Sequence, residues 1–412
     1  MRIYFIVAAL LYAGSVNAQT TITLPDAVAR AQQSNESAQI AAARIDRARA
    51  LKREALAAML PSLSVGASGT YNGVPVELNG RAIVQQFDWG ANGRASITLF
   101  DGQMYPLYSA SSRGVEAADL DARWAVRVLD FEVEQTFFAL AAAERDLKIA
   151  TRAVELRSAY TERAKALAEQ GIALPIDAAR ARSQELEAQQ AVLEATARLG
   201  NASDALAVLL GTDADFRADL GQLPRVAPPE AAQSLTRDDV RADFKRLEAI
   251  ELRESAVWWS LFPTVDLSAN SRFGPSSLSN PDGLTWSISL DASWLLYDGG
   301  ARYARAAAIE AEARETKLNL EQTRRTLGAE GRRALRNWQS AHQAIDVATE
   351  KRDVAQQAYD MVLARYESGL TTSIEVTQAS EDLFLAELSL SDAELAADLA
   401  ASQYRFVIGV SP

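Results

Sequence analysis

The chain has 412 residues, 48% hydrophobic and 23% charged, and a mean hydropathy of -0.10, which excludes a helical membrane protein. The absence of cysteine and a single histidine, His342, remove disulfides, thiolate metal sites and nearly all imidazole chemistry. A formal charge of -12 with a pI near 4.9 lacks the basic field that a nucleic-acid partner needs.

Residues 1–18 read as a secretory signal peptide: Arg2, an apolar run from Ile3 to Leu11, then the small-residue pattern Val16-Asn17-Ala18 before Gln19. The run is too short to span a bilayer of ~30 Å. The mature chain is expected to start at Gln19, outside the cytoplasm. No cysteine follows the cleavage site, so a lipoprotein is not expected.

Leu24 to Met59, free of glycine and with its one proline, Pro25, in the first turn, predicts one helix started by the hydroxyl and carboxylate of Thr23 and Asp26. Strands are expected over 62–72 and 87–100, a long helix over 114–170 and a further helix over 175–210. Residues 212–235 read as a linker, with Asp213, Asp215 and Asp219 solvated and three prolines between Leu223 and Pro229. After Thr236-Arg237-Asp238-Asp239 opens another helix, strands 264–273 and 285–297, a long helix over 301–368 and a helix over 373–408 follow.

The same order therefore occurs twice, in 19–211 and 236–412. Met59-Leu60-Pro61 recurs as Leu261-Phe262-Pro263, and Leu99-Phe100-Asp101-Gly102 as Leu296-Tyr297-Asp298-Gly299. Glu169-Gln170-Gly171-Ile172 recurs as Glu367-Ser368-Gly369-Leu370, and Leu209-Leu210-Gly211 as Val407-Ile408-Gly409. Four ordered matches at an offset of roughly 200 residues mark a tandem duplication.

At 1.5 Å per residue the long helices would reach roughly 85 and 100 Å. Their apolar residues are mostly alanine, with others spaced by three and four, as in Val347, Val354, Ala358, Met361 and Val362. Alone, these rods would suit a trimeric coiled-coil structural or adhesive surface protein. The strands point elsewhere. Leu63, Val65, Ala67 and Tyr71 alternate with Ser62, Ser64, Ser68 and Thr70, and Trp286, Ile288, Leu290 and Trp294 alternate with Thr285, Ser287, Ser289 and Asp291. Strands of about 10 residues, apolar with terminal aromatics on one face and polar on the other, match a transmembrane barrel. Asp266, Arg272 and Asp291 then face its lumen. Four strands cannot close a barrel, which takes about eight. Edges exposed to lipid are not tolerated, so the barrel must be shared between protomers.

The duplicated order, the paired Phe100-Asp101-Gly102 and Tyr297-Asp298-Gly299 motifs, and Tyr366-Glu367-Ser368-Gly369-Leu370 followed by Ile374-Glu375-Val376 resemble the TolC-like outer membrane efflux channel family over essentially the whole mature chain. The resemblance implies a mostly α protomer of tandem-duplicated long helices with a small β part. Three such protomers, as a homotrimer, build a 12-stranded barrel in outer membrane lipid and a helical barrel in the periplasm of a Gram-negative bacterium. It also implies docking on a periplasmic adaptor and an inner-membrane pump or ABC exporter, for tripartite efflux or type I secretion. No cofactor is implied, and no nucleotide loop or metalloprotease motif occurs, so no enzyme is expected.

In the family the two helix–turn–helix tips narrow the tube and receive the adaptor; here they are Gln170 to Asp177 and Ser368 to Glu375. Gly171, Ile172, Pro175, Gly369, Leu370 and Thr372 fall at these docking tips. Gly171 and Gly369 suit left-handed turns, while Pro175 and a box from Thr372 to Glu375 restart the helices. The family gate pairs an acidic residue, Asp177 here, with a tyrosine, Tyr366, and with a basic residue, whose position holds Thr371. Of two acidic constriction positions, Glu375 keeps the charge and Gln378 lacks it. His342, beside Arg336, Trp338 and Asp346, reads as a surface or interface residue.

Overall fold

A computed structural model describes residues 20–74, 76–78, 81–84, 86–219, 237–274 and 283–409. The expected signal peptide, the prolines of 223–229 and Thr236 lie outside the described residues. The elements run β1 (Thr20–Thr23), α1 (Leu24–Ser34), α2 (Glu36–Ala57), β2 (Ser62–Tyr71), β3 (Val76–Leu78), β4 (Arg81–Val84), β5 (Phe87–Phe100), α3 (Met104–Glu169) and α4 (Pro175–Leu209). They continue as β6 (Phe216–Asp219), α5 (Asp238–Trp259), β7 (Thr264–Phe273), β8 (Leu284–Ser293), α6 (Ala301–Glu367) and α7 (Ser373–Ile408). No described helix is long and apolar enough to cross a membrane.

The described residues form two compact units. One draws on the described residues of 20–39, 125–219 and 327–409, the other on those of 40–124 and 237–326. Each mixes segments of both sequence repeats.

In the first unit, Phe137 and Leu140 of α3, Leu206 of α4 and Leu210 just past its end pack with Ile22, Ala27, Ala31 and Phe216. Ile22 and Phe216 arrive on β1 and β6, which pair in parallel with Thr20 opposite Phe216. The expected linker thus contains a strand, and Asp219 stands opposite Thr23 in it. Near the helical turns, Ala164 and Ala181 are fully or almost fully buried beside Tyr160, Tyr359 and Tyr366. Small side chains there allow close helix approach, while the tyrosines fill what remains.

The single helix expected over Leu24 to Met59 is broken at Asn35. Its backbone is extended (φ -71°, ψ 137°), its N–H donates to Ala31 O, and its Oδ1 accepts from Ser37 N at 2.8 Å. The same side chain donates to Leu209 O at 2.9 Å, and Ser34 Oγ donates to Leu210 O at 2.7 Å. One asparagine ends α1, begins α2 and ties both to the end of α4. Hydrogen-bonding preference at a helix end outweighed the uninterrupted run of helix formers.

In the second unit, β2-β5-β7-β8 form one antiparallel sheet. The long helix α3 begins at Met104 rather than Gly114, because Asp101 Oδ1 accepts from Gln103 N at 2.9 Å and Asp101 O from Met104 N. Gly114 is simply carried within the helix. The fourth strand ends at Ser293 rather than 297, since Trp294 turns its indole N–H to Leu261 O at 2.8 Å. Asp298 then receives Gly300 N, Arg302 N and Arg302 Nε, while the Arg302 guanidinium also donates to Ser260 O and Leu295 O. Both repeated Asp-Gly motifs therefore turn a strand into a helix.

Their glycines serve different ends. A Cβ on Gly102 would lie 2.9 Å from Trp259 Cε3 and 3.0 Å from its carbonyl oxygen, whereas Gly299 has φ +71° and no atom nearby. Gly102→Ala is expected to destabilise by about 1–3 kcal/mol through overpacking. Gly299→Ala should cost about 1–2 kcal/mol through backbone strain. Asparagine, which tolerates the left-handed region, should restore the thermal midpoint at 299 and not at 102; melting curves of the four variants check this.

A second expectation concerns Asp130, which is buried on α3 and accepts Gln32 Nε2 at 2.7 Å. Burial, aided by the neighbouring Glu134 and opposed by Gln32 and Arg127, holds its carboxyl above the ordinary value of 3.8. Such a group binds its proton more tightly in the fold than in the unfolded chain. Its contribution to stability is full below 3.8 and is lost as pH rises through the raised value. Asp130→Asn should therefore melt higher than wild type at neutral pH, with the gap closing below pH 3.8 in a melting series.

Candidate functional site

The four-stranded sheet keeps strict alternation across its pairings up to the irregularity between Thr98 and Phe100. On one face Leu63, Ala95, Ala269 and Ile288 form a row, and Ile97, Leu267 and Leu290 another. Trp89 and Phe273 meet edge to face at 5.7 Å toward the loop end. These apolar side chains are largely exposed: Leu63 is 80% accessible, Val65 84% and Trp286 74%. An apolar face this open to solvent in a single chain calls for an apolar covering.

The opposite face is polar row by row. Nearest the helices Thr264 meets Ser293, and in the next row Thr98, Asp266 and Asp291 align, the Thr98 hydroxyl donating to Asp266 at 2.6 Å. Next come Ser62, Ser96, Ser268 and Ser289, joined by hydroxyl contacts of 2.9 Å at Ser62–Ser96 and Ser268–Ser289. Toward the loops lie Ser64, Arg94, Asn270 and Ser287, then Gly66, Asn92, Arg272 and Thr285. Arg272 pairs with Asp88 at 3.6 Å. Asp266, Arg272 and Asp291 thus share the polar face, as the alternation requires. Arg94 and Asp88 belong with them and were readable from the same period.

The two helical turns share one geometry. Gly171 (φ 75°) and Gly369 (φ 68°) adopt left-handed backbone. Gly171 N donates to Ala168 O and Ile172 N to Leu167 O; Gly369 N donates to Tyr366 O and Leu370 N to Arg365 O. These are Schellman closures, in which the residue after the glycine usually folds onto the helix. Here Ile172 and Leu370 instead remain 68% and 70% exposed, with Leu174, Ile176 and Ile374 also open.

Pro175 takes the first position of α4, and Asp177 Oδ2 accepts the Leu174 N–H at 3.3 Å. At the second tip the expected box from Thr372 to Glu375 is not formed. Thr372 occupies the cap with extended backbone but no side-chain bond: the Glu375 N–H donates to the Thr372 carbonyl oxygen, and the Glu375 carboxylate takes the Thr371 hydroxyl. Glu375, Gln378 and Thr372 are exposed, and Thr371 is half-buried.

Asp177 and Tyr366 are not hydrogen-bonded to each other within the chain. Asp177 Oδ1 accepts from the buried Ser373 hydroxyl at 2.5 Å, which ties the start of α4 to the start of α7. Arg180 stands 3.9 Å from the same carboxylate. Tyr366 is buried edge to face against Tyr160 at 5.4 Å, and its hydroxyl makes no hydrogen bond among the described residues. Burial, reinforced by the Tyr366 phenol and the Asp177 carboxylate, pushes the Tyr160 phenol well above its ordinary value. Ser373 and Tyr160 carried no signal in the sequence beyond their helical setting.

Away from the tips, arginines of α3 meet glutamates of α6 and α7: Arg145 with Glu394, Arg152 with Glu387, Arg157 with Glu381 and Arg163 with Glu367. Exposed His342 stacks on Trp338 at 5.6 Å. Among the described residues, no cluster of three or more His, Cys, Asp or Glu could hold a metal ion.

The family model for outer membrane efflux proteins matches residues 27–212 and again 235–410, one match per repeat. The fold is similar to that of CusC, described for its transmembrane channel formation, with a TM-score of 0.85, 21% identity, and coverage of 94% of this chain and 92% of that one. It is likewise similar to the Vibrio cholerae outer membrane protein VceC (TM-score 0.81, 18% identity, coverage 94% and 96%). The Campylobacter jejuni outer membrane channel CmeC gives a TM-score of 0.80, 18% identity and coverage of 94% and 85%. Among curated protein sequences none matches. With both repeats matched by one model and the strands and tips laid out as above, the chain belongs to the outer membrane efflux protein family and is an outer membrane protein.

Proposed function

We propose that three copies of this chain form a channel-tunnel through which substrates leave the periplasm across the outer membrane. The observation that carries the reading is the open sheet: β2 and β8 are both edge strands, and one face between them is apolar. Lipid accepts such a sheet only when its edges are closed, and three four-stranded sheets supply twelve strands. Exposed apolar residues at heptad spacing support side-by-side contact between copies: Leu186 and Leu193 on α4, and Val347, Val354 and Met361 on α6. The chain provides passage and performs no reaction.

The open Ile172 and Leu370, with their apolar neighbours, are the docking tips for a periplasmic adaptor, which links the channel to an inner-membrane pump or ABC exporter. The residues at the gate favour closure by hydrogen bonds. The position of the family's basic partner holds Thr371, whose hydroxyl is engaged by Glu375, while Asp177 binds Ser373. Threefold repetition brings three Glu375 carboxylates near one axis, where they attract cations.

Two measurements test the reading. A photoactivated cross-linker attached at Leu370→Cys should capture a periplasmic adaptor in cells; adducts only between copies of this chain would refute the docking assignment. In planar bilayers the wild type should carry ion current, and Glu375→Gln should lower its cation preference severalfold without reducing trimer yield.

A further inference from the structure

Charge on the polar face of the sheet is divided along the strands. Asp266 and Asp291 lie directly opposite each other near the helices, whereas Arg94 and Arg272 lie in two successive rows toward the loops. Between those rows is a depression of about 290 Å³. Its walls are Asn92, Arg272 and Thr285 on one side and Arg94, Asn270 and Ser287 on the other. The row between them, which includes Gly93, sends its side chains to the apolar face and leaves backbone as the floor.

The wall chemistry is that of an anion receptor. Two guanidinium groups offer fork-shaped donors matched to carboxylate, sulfate or phosphate oxygens, and two amide side chains add neutral N–H donors. Bare backbone lies under the walls. A Cβ at Gly66 would come within 2.9 Å of Asn92 Oδ1 and crowd that side chain, whereas one at Gly90 would sit in ordinary contact with Arg272 Nε at 3.5 Å. Among the described residues no carboxylate pairs with Arg94. The Asp88 partner of Arg272 stands at 3.6 Å, with side chains 45% and 63% exposed, so the pair is weak and open to displacement by a better-matched oxyanion.

We propose that Arg94 and Arg272, with Asn92 and Asn270, form an oxyanion-binding belt at the loop end of the lumen. The belt favours anions, opposite in sign to the aspartates at the helix end. Per chain, Arg94 and Arg272 outnumber Asp88 on the loop-side rows of the polar face, and threefold repetition multiplies these rows into a ring. An anionic cargo would meet its last attractive contact there before release.

The proposal rests on the channel reading, and one set of recordings separates the two. Wild-type trimer in a planar bilayer under a KCl gradient is titrated with inorganic phosphate from the loop side. Phosphate should inhibit the current. Arg94→Gln with Arg272→Gln should weaken inhibition about tenfold, as expected for loss of charged hydrogen bonds, and shift the reversal potential toward cations. Arg94→Lys, which keeps the charge without the fork, should preserve the reversal potential and lose part of the inhibition. Asp88→Asn should strengthen it. Trimer bands on unheated gels establish that every variant is assembled. A conducting wild type whose phosphate response and reversal potential are unchanged in the double variant overturns the proposal alone. A wild type that does not conduct overturns the channel reading and the proposal with it.

Discussion

Register in the four-stranded sheet is the constraint on which the rest depends. A slip of one residue between β5 and β7 would turn Leu267 to the polar face and Asp266 to the apolar one. The pairing is held by matched rows: hydroxyl against hydroxyl at Ser62–Ser96 and Ser268–Ser289, Thr98 against Asp266, and Trp89 against Phe273. The single irregularity between β5 and β7 lies at Thr98 and Phe100, where the strand leaves for the helix. Irregularity is thus confined to the end of the sheet, where the chain must change direction.

The helical part meets a different difficulty, which is specificity. Rods rich in alanine pack closely in many registers, because one alanine looks like another. Polar contacts break that degeneracy. Arg145, Arg152, Arg157 and Arg163 of α3 each meet a glutamate, and Asn35 binds the carbonyl of Leu209 at one depth only. Each pair keeps at least one partner open to water, which limits what it adds to stability. Their geometric role is to penalise a slid helix. Glu387 illustrates the cost, since burial lifts its carboxyl above the ordinary value even with Arg152 and Arg352 nearby.

Much of this was legible in the residues. Strand faces follow from a period of two, and register follows from the faces, so the polar rows were in effect written along Ser62 to Thr98 and Thr264 to Ser293. The tip glycines were legible because left-handed backbone has few occupants. What escaped was interaction at a distance. Asn35 ends a helix because Leu209 is there to receive it. Asp177 turns to Ser373 because the start of α7 stands beside the start of α4. The parallel pairing of β1 with β6 joins segments nearly two hundred residues apart by short, ordinary-looking sequences.

The unlike glycines at 102 and 299 bear on how the two halves of the chain have stayed distinct. Each sits in the same Asp-Gly motif, yet one is required by a neighbouring tryptophan and the other by its own backbone angle. Copying a segment from one half into the other would preserve every motif letter and still bring the wrong surroundings. Gene conversion between the repeats would therefore be penalised through the flanking positions that differ, although the shared glycine itself would be unchanged. The duplication is free to drift apart around a shared spelling, and similarity between halves understates how far their roles have separated.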